Sequence, residues 1–328
     1  MSKSLTRVVI ALVALGAFAI PPFIGDLTFF VQMVLSAIVV TGLSLFMGYA
    51  GQASLGQGAF VAVGALTVAV LTVRFGLPPI VALILAPMVA GVFAVIVGAP
   101  LLRLRGHYLA FGTLALLLLV QVVMSSVPFF GGGIGLFGIP PLGAGTGIVT
   151  NQLFYAYLGL GVLALVLVVT HNLVRSRFGR GIRSLSGSET AAASSGVPVL
   201  RSKVAVFAIS AMFAGVAGGM AAFFTPYVSQ DSFPPLKSFE YVIMAVIGGL
   251  GTLWGGVVGA VLISLLLQGL NMLSTAPGLP PTAGPILQYA GYAIVLIVCL
   301  LLIPRGIAPS IASLGKRTVA RLRPRQTG

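Results

Sequence analysis

The sequence predicts an all-α, polytopic integral membrane protein with about 8–10 transmembrane helices, some of them discontinuous at glycine-rich segments. Hydrophobic residues make up 58% of the 328 residues and charged residues only 7%, and the mean hydropathy is +1.14. No soluble domain has so little polar surface to cover its core, so we expect a single transmembrane domain over residues 1–328. Apolar runs near the roughly 20 residues that cross a bilayer lie at 8–24, 27–47, 53–73, 80–102, 107–127, 152–174, 204–224, 241–270 and 286–304.

Basic residues lie between or beside these runs and produce the net charge of +14. They cluster at 3–7, 103–105, 175–203 and 305–325, as cytoplasmic segments do under the positive-inside rule. This distribution argues against a nucleic-acid partner. It predicts that both termini and the 175–203 loop are cytoplasmic. The basic tail at 305–328 is either a plain topology signal or a contact for anionic membrane lipids.

The first apolar run allows two interpretations. Lys3 and Arg7, followed by an apolar run and Ala17-Phe18-Ala19, resemble a cleavable signal peptide. Pro21-Pro22 and the second apolar run follow almost at once, which favours a first helix that stays in the protein. We expect this helix to be retained.

The run at 241–270 conflicts with a cytoplasmic C-terminus if it forms one helix. Six runs bring the chain back to the cytoplasm at the 175–203 loop, and three more crossings would leave the tail outside. Two short segments folded back on each other, hinged near Gly248–Gly251 or Gly255–Gly256, remove the conflict. Non-helical backbone at membrane depth needs cover from protein or a water-filled cavity, so we expect a cavity-lining element here. The alternative is one long tilted helix and an external tail.

The extracytoplasmic side is expected to carry most of the few acidic residues. Asp26, Asp231 and Glu240 fall in turns or at the edges of spans on that side. The glycine-rich loop Phe129–Gly147 lies there too and contains no charge. It is either a packed lid or docking surface, or a flexible uncharged loop.

Two glycine-rich segments mark the expected translocation pathway. Gly48–Phe60 combines glycines with amide and hydroxyl side chains that are costly in hydrocarbon unless they meet partners or water. Gly248–Gly256 repeats part of the glycine spacing, and paired glycine-interrupted spans often flank a transport site, although helix packing also uses such glycines. The candidate pathway residues are Gln52, Ser54, Gly56 and Gln57 in the first segment and Gly248, Gly251 and Gly256 in the second.

The sequence lacks the sets of residues that several kinds of chemistry require. There is no P-loop motif, no paired carboxylates and no Ser-His-Asp set. The single cysteine, Cys299, supports neither a disulfide nor a metal site. We therefore expect no enzymatic activity, no cofactor and no metal. We also find no buried mid-span acidic residue with a basic partner, which ion-coupled carriers commonly need. We therefore expect such a chain to transport a neutral or zwitterionic solute. The energy for transport would come from another protein.

The 175–203 loop contains a predicted helix rich in glutamate and alanine. It begins near Glu189 and ends at Gly196, and it resembles the coupling segment of ABC importer permeases. In that family the segment docks into a groove on the ATPase and transmits its closure to the spans. An amphipathic surface helix without a partner is the alternative. The candidate coupling residues are Arg183, Glu189, Ala191, Ala192 and Gly196.

Together these segments resemble the branched-chain amino-acid ABC permeases of the LivM/LivH type over nearly the whole chain. The stretches that carry the resemblance are Gly48–Phe60, Arg103–Phe111, Gly179–Val197, 203–218 and 246–256. The Arg-Gly-His-Tyr-Leu-Ala sequence within the second stretch points to the M-type subunit. The resemblance implies the ABC importer permease fold in a bacterial inner membrane. It also implies three kinds of partner: a second, LivH-type permease, two ATPase subunits that bind the ATP, and a periplasmic or lipid-anchored binding protein.

The same resemblance implies import of branched-chain, hydrophobic amino acids. Related permeases carry urea or short amides, and these substrates stay open as an alternative. A secondary carrier or channel that works alone is the alternative from another class, and it would need an ion-coupling site.

Overall fold

A computed structural model describes residues 26–104, 106–143 and 151–274, together with residues 290, 291 and 294. The predicted first helix at 8–24, nearly all of the last run at 286–304 and the basic tail lie outside the described residues. Within the described part, six helices are long and apolar enough to cross a membrane, and the apolar helix Gln57–Val73 is slightly shorter. The predicted all-α polytopic fold is confirmed.

The helices of the described part, in chain order, are α1 (Leu27–Ser44), α2 (Gln57–Val73), α3 (Pro79–Leu101), α4 (His107–Ser126), α5 (Gln152–Arg175), α6 (Arg177–Gly187), α7 (Glu189–Ser194), α8 (Val199–Phe224), α9 (Pro235–Gly248) and α10 (Gly255–Ser274). A π-helical turn, Leu45–Tyr49, continues α1, and 3-10 turns cover Pro128–Phe130 and Gln230–Ser232.

Local sequence explains where many of these helices begin. The first backbone N–H groups of a helix have no partner inside it, so a side-chain acceptor at the start is stabilising. Such caps are Asp26 for α1, Asn151 for α5, Ser176 for α6 and Ser188 for α7. Pro79 and Pro235 instead occupy the first turn of α3 and α9, where the missing N–H of proline costs nothing.

The most buried helices of the described part are α1, α2 and α8, which form the centre of the bundle. Helix α1 is largely buried from Phe30 onward, and α8 packs closely on α2 and α3. A Cβ added to Gly218 would lie 2.0 Å from the carbonyl oxygen of Val61 in α2, and one on Gly215 would lie 2.6 Å from the Cβ of Ala90 in α3. Small residues let helices approach this closely within a membrane.

Helices at the periphery expose large apolar side chains. Ile96 of α3 is 66% exposed, Leu119 of α4 is 58% exposed and Leu165 of α5 is 62% exposed. Water disfavours such a surface, whereas the hydrocarbon of a bilayer accommodates it. The chain is therefore a multi-pass membrane protein.

The run at 241–270 is broken, as the parity of the spans predicts. Helix α9 ends at Gly248 and α10 begins at Gly255, and positive φ angles at Gly249 and Gly251 turn the chain between them. The two parts are not both short, because α10 has 20 residues. Helix α9 also starts earlier than the apolar run, at Pro235.

The two ends of the bundle differ in structure and charge. At one end, the strand end, β1 (Leu136–Phe137) pairs antiparallel with β2 (Tyr227–Val228). The ring of Phe137 stacks on that of Tyr227 with 4.5 Å between centroids, and Ile139 is buried. The described part of the glycine-rich loop is therefore only partly packed, because Ile134 is 75% exposed and Phe137 is 56% exposed. At the opposite end, the basic end, α6 and α7 connect α5 to α8.

Candidate functional site

The predicted pathway segment joins α1 to α2 at the basic end. The π-helical turn Leu45–Tyr49 continues α1, residues 51–56 are not helical, and α2 begins at Gln57. Gly51 has a φ of +67°, in the region that favours glycine. The glycines of this segment therefore interrupt the helix, as the sequence predicts.

The polar side chains of this segment are buried and have partners in the protein. Gln57 is 1% exposed, and its Nε2 donates to the Oγ of Ser210 in α8 at 3.0 Å and to the carbonyl oxygen of the same residue at 3.1 Å. The fully buried Oγ of Ser54 accepts a backbone N–H two residues later at 3.4 Å. Gln52 donates from Nε2 to Oε1 of Glu189 in α7 at 3.1 Å. These contacts replace the water that such groups would otherwise need.

The two predicted glycine-rich segments touch each other. A Cβ added to Gly48 would lie 1.9 Å from the backbone nitrogen of Gly251, so the end of α1 is in direct backbone contact with the break between α9 and α10. Three of the four predicted pathway glycines would also bring an added Cβ within 3.0 Å of backbone atoms: Gly56 at Thr113 of α4, Gly248 at Gly255, and Gly256 at Thr41 of α1. For the fourth, Gly251, the nearest atom is the carbonyl oxygen of Gly48 at 3.3 Å. Close packing is thus one demonstrated reason for glycine here, and their role in the pathway stays a prediction.

The predicted coupling segment forms a short helical hairpin from α6 and α7. The side chain of Ser188 caps α7, and Gly196, with a φ of +80°, follows its end. The predicted helix ended by glycine is therefore present. Ala191 and Gly196 are exposed, whereas Ala192 is 1% exposed and packs towards the bundle.

The carboxylate of Glu189 contacts the bundle. Its Oε1 accepts a hydrogen bond from Nζ of Lys203 in α8 at 2.5 Å and another from Nε2 of Gln52 at 3.1 Å. Lys203 is 3% exposed, so this carboxylate compensates a buried cation, which would be costly alone. One side chain thus joins α7, α8 and the predicted pathway segment.

Two further contacts join the hairpin to the same segment. The guanidinium of Arg183 in α6 lies over the ring of Tyr49, 5.3 Å from its centroid, in a cation–π arrangement. A Cβ added to Gly51 would lie 3.1 Å from the Cα of Ser186 in α6. A displacement of α6 and α7 would therefore act directly on the end of α1 and on the non-helical residues that follow it.

A cavity of about 440 Å³ lies between α1, α2, α8 and α9 towards the strand end. Its size falls within the roughly 300–1,000 Å³ of small-molecule pockets. Its polar lining residues are Gln32, Ser36, Thr225, Tyr227, Ser232, Lys237 and Tyr241, and the others are mainly apolar. None of the described residues that line this cavity is one of the seven predicted pathway positions. Gly58, which follows the predicted Gln57, is a lining residue.

The described residues include a buried acidic residue with a basic partner, in the first half of α9 rather than in the middle of a span. Glu240 is 7% exposed, and its Oε2 lies 2.8 Å from Nζ of Lys237. The sequence reading put Glu240 in a turn or at a span edge because the apolar run starts at residue 241. Pro235 starts the helix earlier, so the two charges lie three residues apart on one face. The Lys-x-x-Glu spacing after Pro234-Pro235 is the signal that could have found this pair.

Asp26 and Asp231 do occupy the positions expected of them. Asp26 precedes α1 and caps it, and Asp231 lies in the 3-10 turn Gln230–Ser232. Both are at the strand end.

Comparison with known families identifies the class of this protein. The family described as "Branched-chain amino acid transport system / permease component" matches residues 27–303. The match covers most of the chain and includes both glycine-rich segments and the α6–α7 hairpin. The chain belongs to this family of transport permeases.

Individual relatives agree with the family. The chain is 31% identical over 250 residues to the high-affinity branched-chain amino acid transport system permease protein LivM of Salmonella typhimurium, and equally to LivM of Escherichia coli. Each of these alignments covers 69% of the chain and 59% of the relative's length. A probable LivM of Methanocaldococcus jannaschii is 25% identical over 312 residues, covering 83% of the chain and 90% of the relative. No solved structure matches the chain significantly.

Proposed function

We propose that this chain is a permease subunit of an ABC importer for branched-chain, hydrophobic amino acids. Its partners would be two ATPase subunits that bind ATP, a second homologous permease of the LivH type, and a periplasmic or lipid-anchored substrate-binding protein. The observation that carries this proposal is the α6–α7 hairpin, whose exposed face is free for docking and whose buried face holds the pathway segment through Glu189.

The hairpin would transmit nucleotide-driven closure in two steps. Ala191 and Gly196 on the exposed face would contact the ATPase. The pairs Glu189–Gln52 and Arg183–Tyr49 would then carry the displacement into the bundle. Because interfaces of this kind have discrete packing arrangements, a small shift there can move whole helices.

The charges support one orientation of the chain. Basic residues gather around α6 and α7, and the described acidic caps and turns gather at the strand end. Under the positive-inside rule the basic end and both termini would be cytoplasmic. The cavity at the strand end would then be reached from the side on which a binding protein delivers substrate.

Two alternatives remain for the test to decide. Urea or a short amide would need hydrogen-bonding groups but no charged subsite. A stand-alone carrier would need an ion-coupling site, for which the Lys237–Glu240 pair of α9 is a candidate.

A mild-detergent purification of the tagged chain from native membranes tests the proposal, followed by reconstitution of the recovered complex in liposomes. We expect a P-loop ATPase and a second permease to co-purify, and leucine uptake to require ATP and the binding protein. A matched complex whose ATPase lacks its P-loop lysine should assemble and fail to transport. Recovery of the chain alone, with uptake that needs no ATP, would overturn the proposal.

A further inference from the structure

A groove of about 500 Å³ lies between α2, α3 and α4 and shares no described lining residue with the cavity at the strand end. Helix α2 contributes Val63, Thr67 and Val70, α3 contributes Val89, and α4 contributes Leu119. Val89 and Leu119 are exposed, so the groove opens at the periphery of the bundle. In a membrane this side faces the hydrocarbon of the bilayer.

The walls of the groove suit a hydrocarbon chain better than another helix. Among the described lining residues, only Thr67 has a hydroxyl group, and it donates to the carbonyl oxygen of Val63 in its own helix at 2.8 Å. The described walls contain no glycine, alanine or serine. Helices in a membrane approach each other through such small residues, as α2 and α8 do at Gly64 and Gly215. A flexible acyl chain, by contrast, can fill a gap between large side chains.

A cation marks the strand end of the groove. Thr67 and Val70 lie on one stripe of α2, and Arg74 continues this stripe one turn further. The Nη2 of Arg74 donates to the carbonyl oxygen of Pro128 at 3.3 Å. Pro128 begins the 3-10 turn whose last residue, Phe130, lines the groove. The guanidinium is therefore held beside the end of the groove.

The guanidinium of Arg74 is suited to an anion outside the protein. Within the described ranges no carboxylate forms an ion pair with Arg74, and the residue is exposed. A guanidinium has several N–H donors in a planar fork that matches the oxygens of a phosphate, and the contact with Pro128 leaves donors for such a group. An arginine at the end of an apolar helix also reaches the headgroup level of the bilayer.

The length of the groove matches one leaflet of a bilayer. Val63 and Arg74 are 11 positions apart (74 − 63) in helix α2 and its C-cap, which corresponds to about 16 Å of rise. The hydrocarbon core is about 30 Å thick, so one leaflet has about half this depth. A lipid whose phosphate lies at Arg74 can therefore extend an acyl chain along the groove as far as Val63.

We propose that the groove and Arg74 form a binding site for a glycerophospholipid, with one acyl chain between α2, α3 and α4 and the phosphate on Arg74. The apolar walls hold the chain, and the guanidinium selects a lipid with an anionic phosphate over a neutral lipid. This site does not depend on the proposed import function.

Native mass spectrometry tests the site on the detergent-purified chain, together with the subsunits that co-purify with it, titrated with phosphatidylglycerol. Diacylglycerol with the same chains lacks the phosphate and should bind at least roughly tenfold more weakly. Arg74→Gln should weaken phosphatidylglycerol binding roughly 10- to 100-fold, because hydrogen bonds between charged groups are lost. Arg74→Lys keeps the cation without the fork and should fall between the two.

Two matched controls separate this site from general effects on lipid binding. Arg180→Gln removes an exposed guanidinium that also donates to a backbone carbonyl, that of Arg175, but lies at the basic end, and it should bind phosphatidylglycerol as wild type does. Val89→Phe fills the groove and should weaken binding of both lipids at least roughly tenfold. Val92→Phe places the same ring at an exposed position of α3 that does not line the groove, and it should leave binding unchanged.

Thermal unfolding separates lipid recognition by Arg74 from a structural role of its contact with Pro128. Phosphatidylglycerol should raise the Tm of the wild type, because a ligand that binds the folded state stabilises it. It should leave the Tm of Arg74→Gln nearly unchanged. A purely structural role would instead lower the lipid-free Tm of this variant and preserve the rise on adding lipid.

Three results would overturn the proposal. Unchanged phosphatidylglycerol affinity in either Arg74→Gln or Val89→Phe would show that the lipid binds elsewhere. Equal binding of diacylglycerol and phosphatidylglycerol would show that the phosphate is not recognised. Loss of a co-purifying permease from Val89→Phe, with lipid binding unchanged, would assign the groove to a protein contact.

Discussion

Replacing Glu189 tests the contact that joins the hairpin to the bundle. In Glu189→Ala, the ammonium of Lys203 loses its ion-pair partner although Lys203 is only 3% exposed. Removing one member of a buried ion pair, so that the other charge stays buried without a partner, lowers the free energy of unfolding by about 3–5 kcal/mol. Because the side chain of Glu189 is 34% exposed, water can enter the vacated position and screen the charge. We therefore expect a loss near the lower limit, about 3 kcal/mol.

Removing Lys203 instead of Glu189 should lower the free energy of unfolding by less. In Lys203→Met, Glu189 keeps its hydrogen bond from Gln52 and its access to water, so we expect a loss of about 1 kcal/mol. The double variant has no charge left to bury, and removal of a whole ion pair is often nearly neutral. Its loss should again be about 1 kcal/mol, which leaves a coupling of about 3 kcal/mol between the two side chains.

Thermal unfolding of the purified complex measures this cycle. At about 2 °C per kcal/mol for a chain of this size, Glu189→Ala should lower the Tm by about 6 °C, and Lys203→Met and the double variant by about 2 °C each. Arg180→Ala, which removes an exposed cation of the same hairpin that contacts the carbonyl of Arg175, should change the Tm by about 1 °C or less. A double variant that loses as much as both single variants together would refute the pairing. Unchanged ATP-driven uptake in Glu189→Ala would show that the Glu189–Lys203 pair is not needed to transmit ATPase closure to the membrane helices.

Two further predictions follow from packing and orientation. Gly48→Ala should disrupt the contact between α1 and the break between α9 and α10, because its Cβ would lie 1.9 Å from the backbone nitrogen of Gly251. We expect this variant to lose most of its ATP-driven uptake. Gly161→Ala, whose Cβ would have nothing within 4 Å, should keep normal uptake in the same assay. In a Cys299→Ala background, cysteine at Ser194 should react with an impermeant maleimide only in inside-out vesicles, and cysteine at Ile134 only in right-side-out vesicles. Labelling of both from one side would contradict the proposed orientation.

Features that depend on neighbouring residues could be predicted from the sequence. The break between α9 and α10 follows from glycines whose positive φ other residues adopt poorly, and α7 follows from Ser188 and Gly196, which start and stop it. The same kind of signal, Pro234-Pro235 before Lys237 and Glu240, predicts an earlier start of α9 than hydropathy alone does.

Features that depend on distant residues could not be predicted in this way. The composition and the apolar runs determined that the chain crosses a membrane many times, and the glycines determined where its helices break. Only the tertiary structure decided that Glu189 contacts the bundle at Lys203 and at Gln52, which is 137 residues away. It also decided that Gln57 meets Ser210 and that the cavity opens beside Lys237. Backbone conformation responds to nearby residues, whereas the partner of a buried polar group is selected when distant helices pack and exclude water.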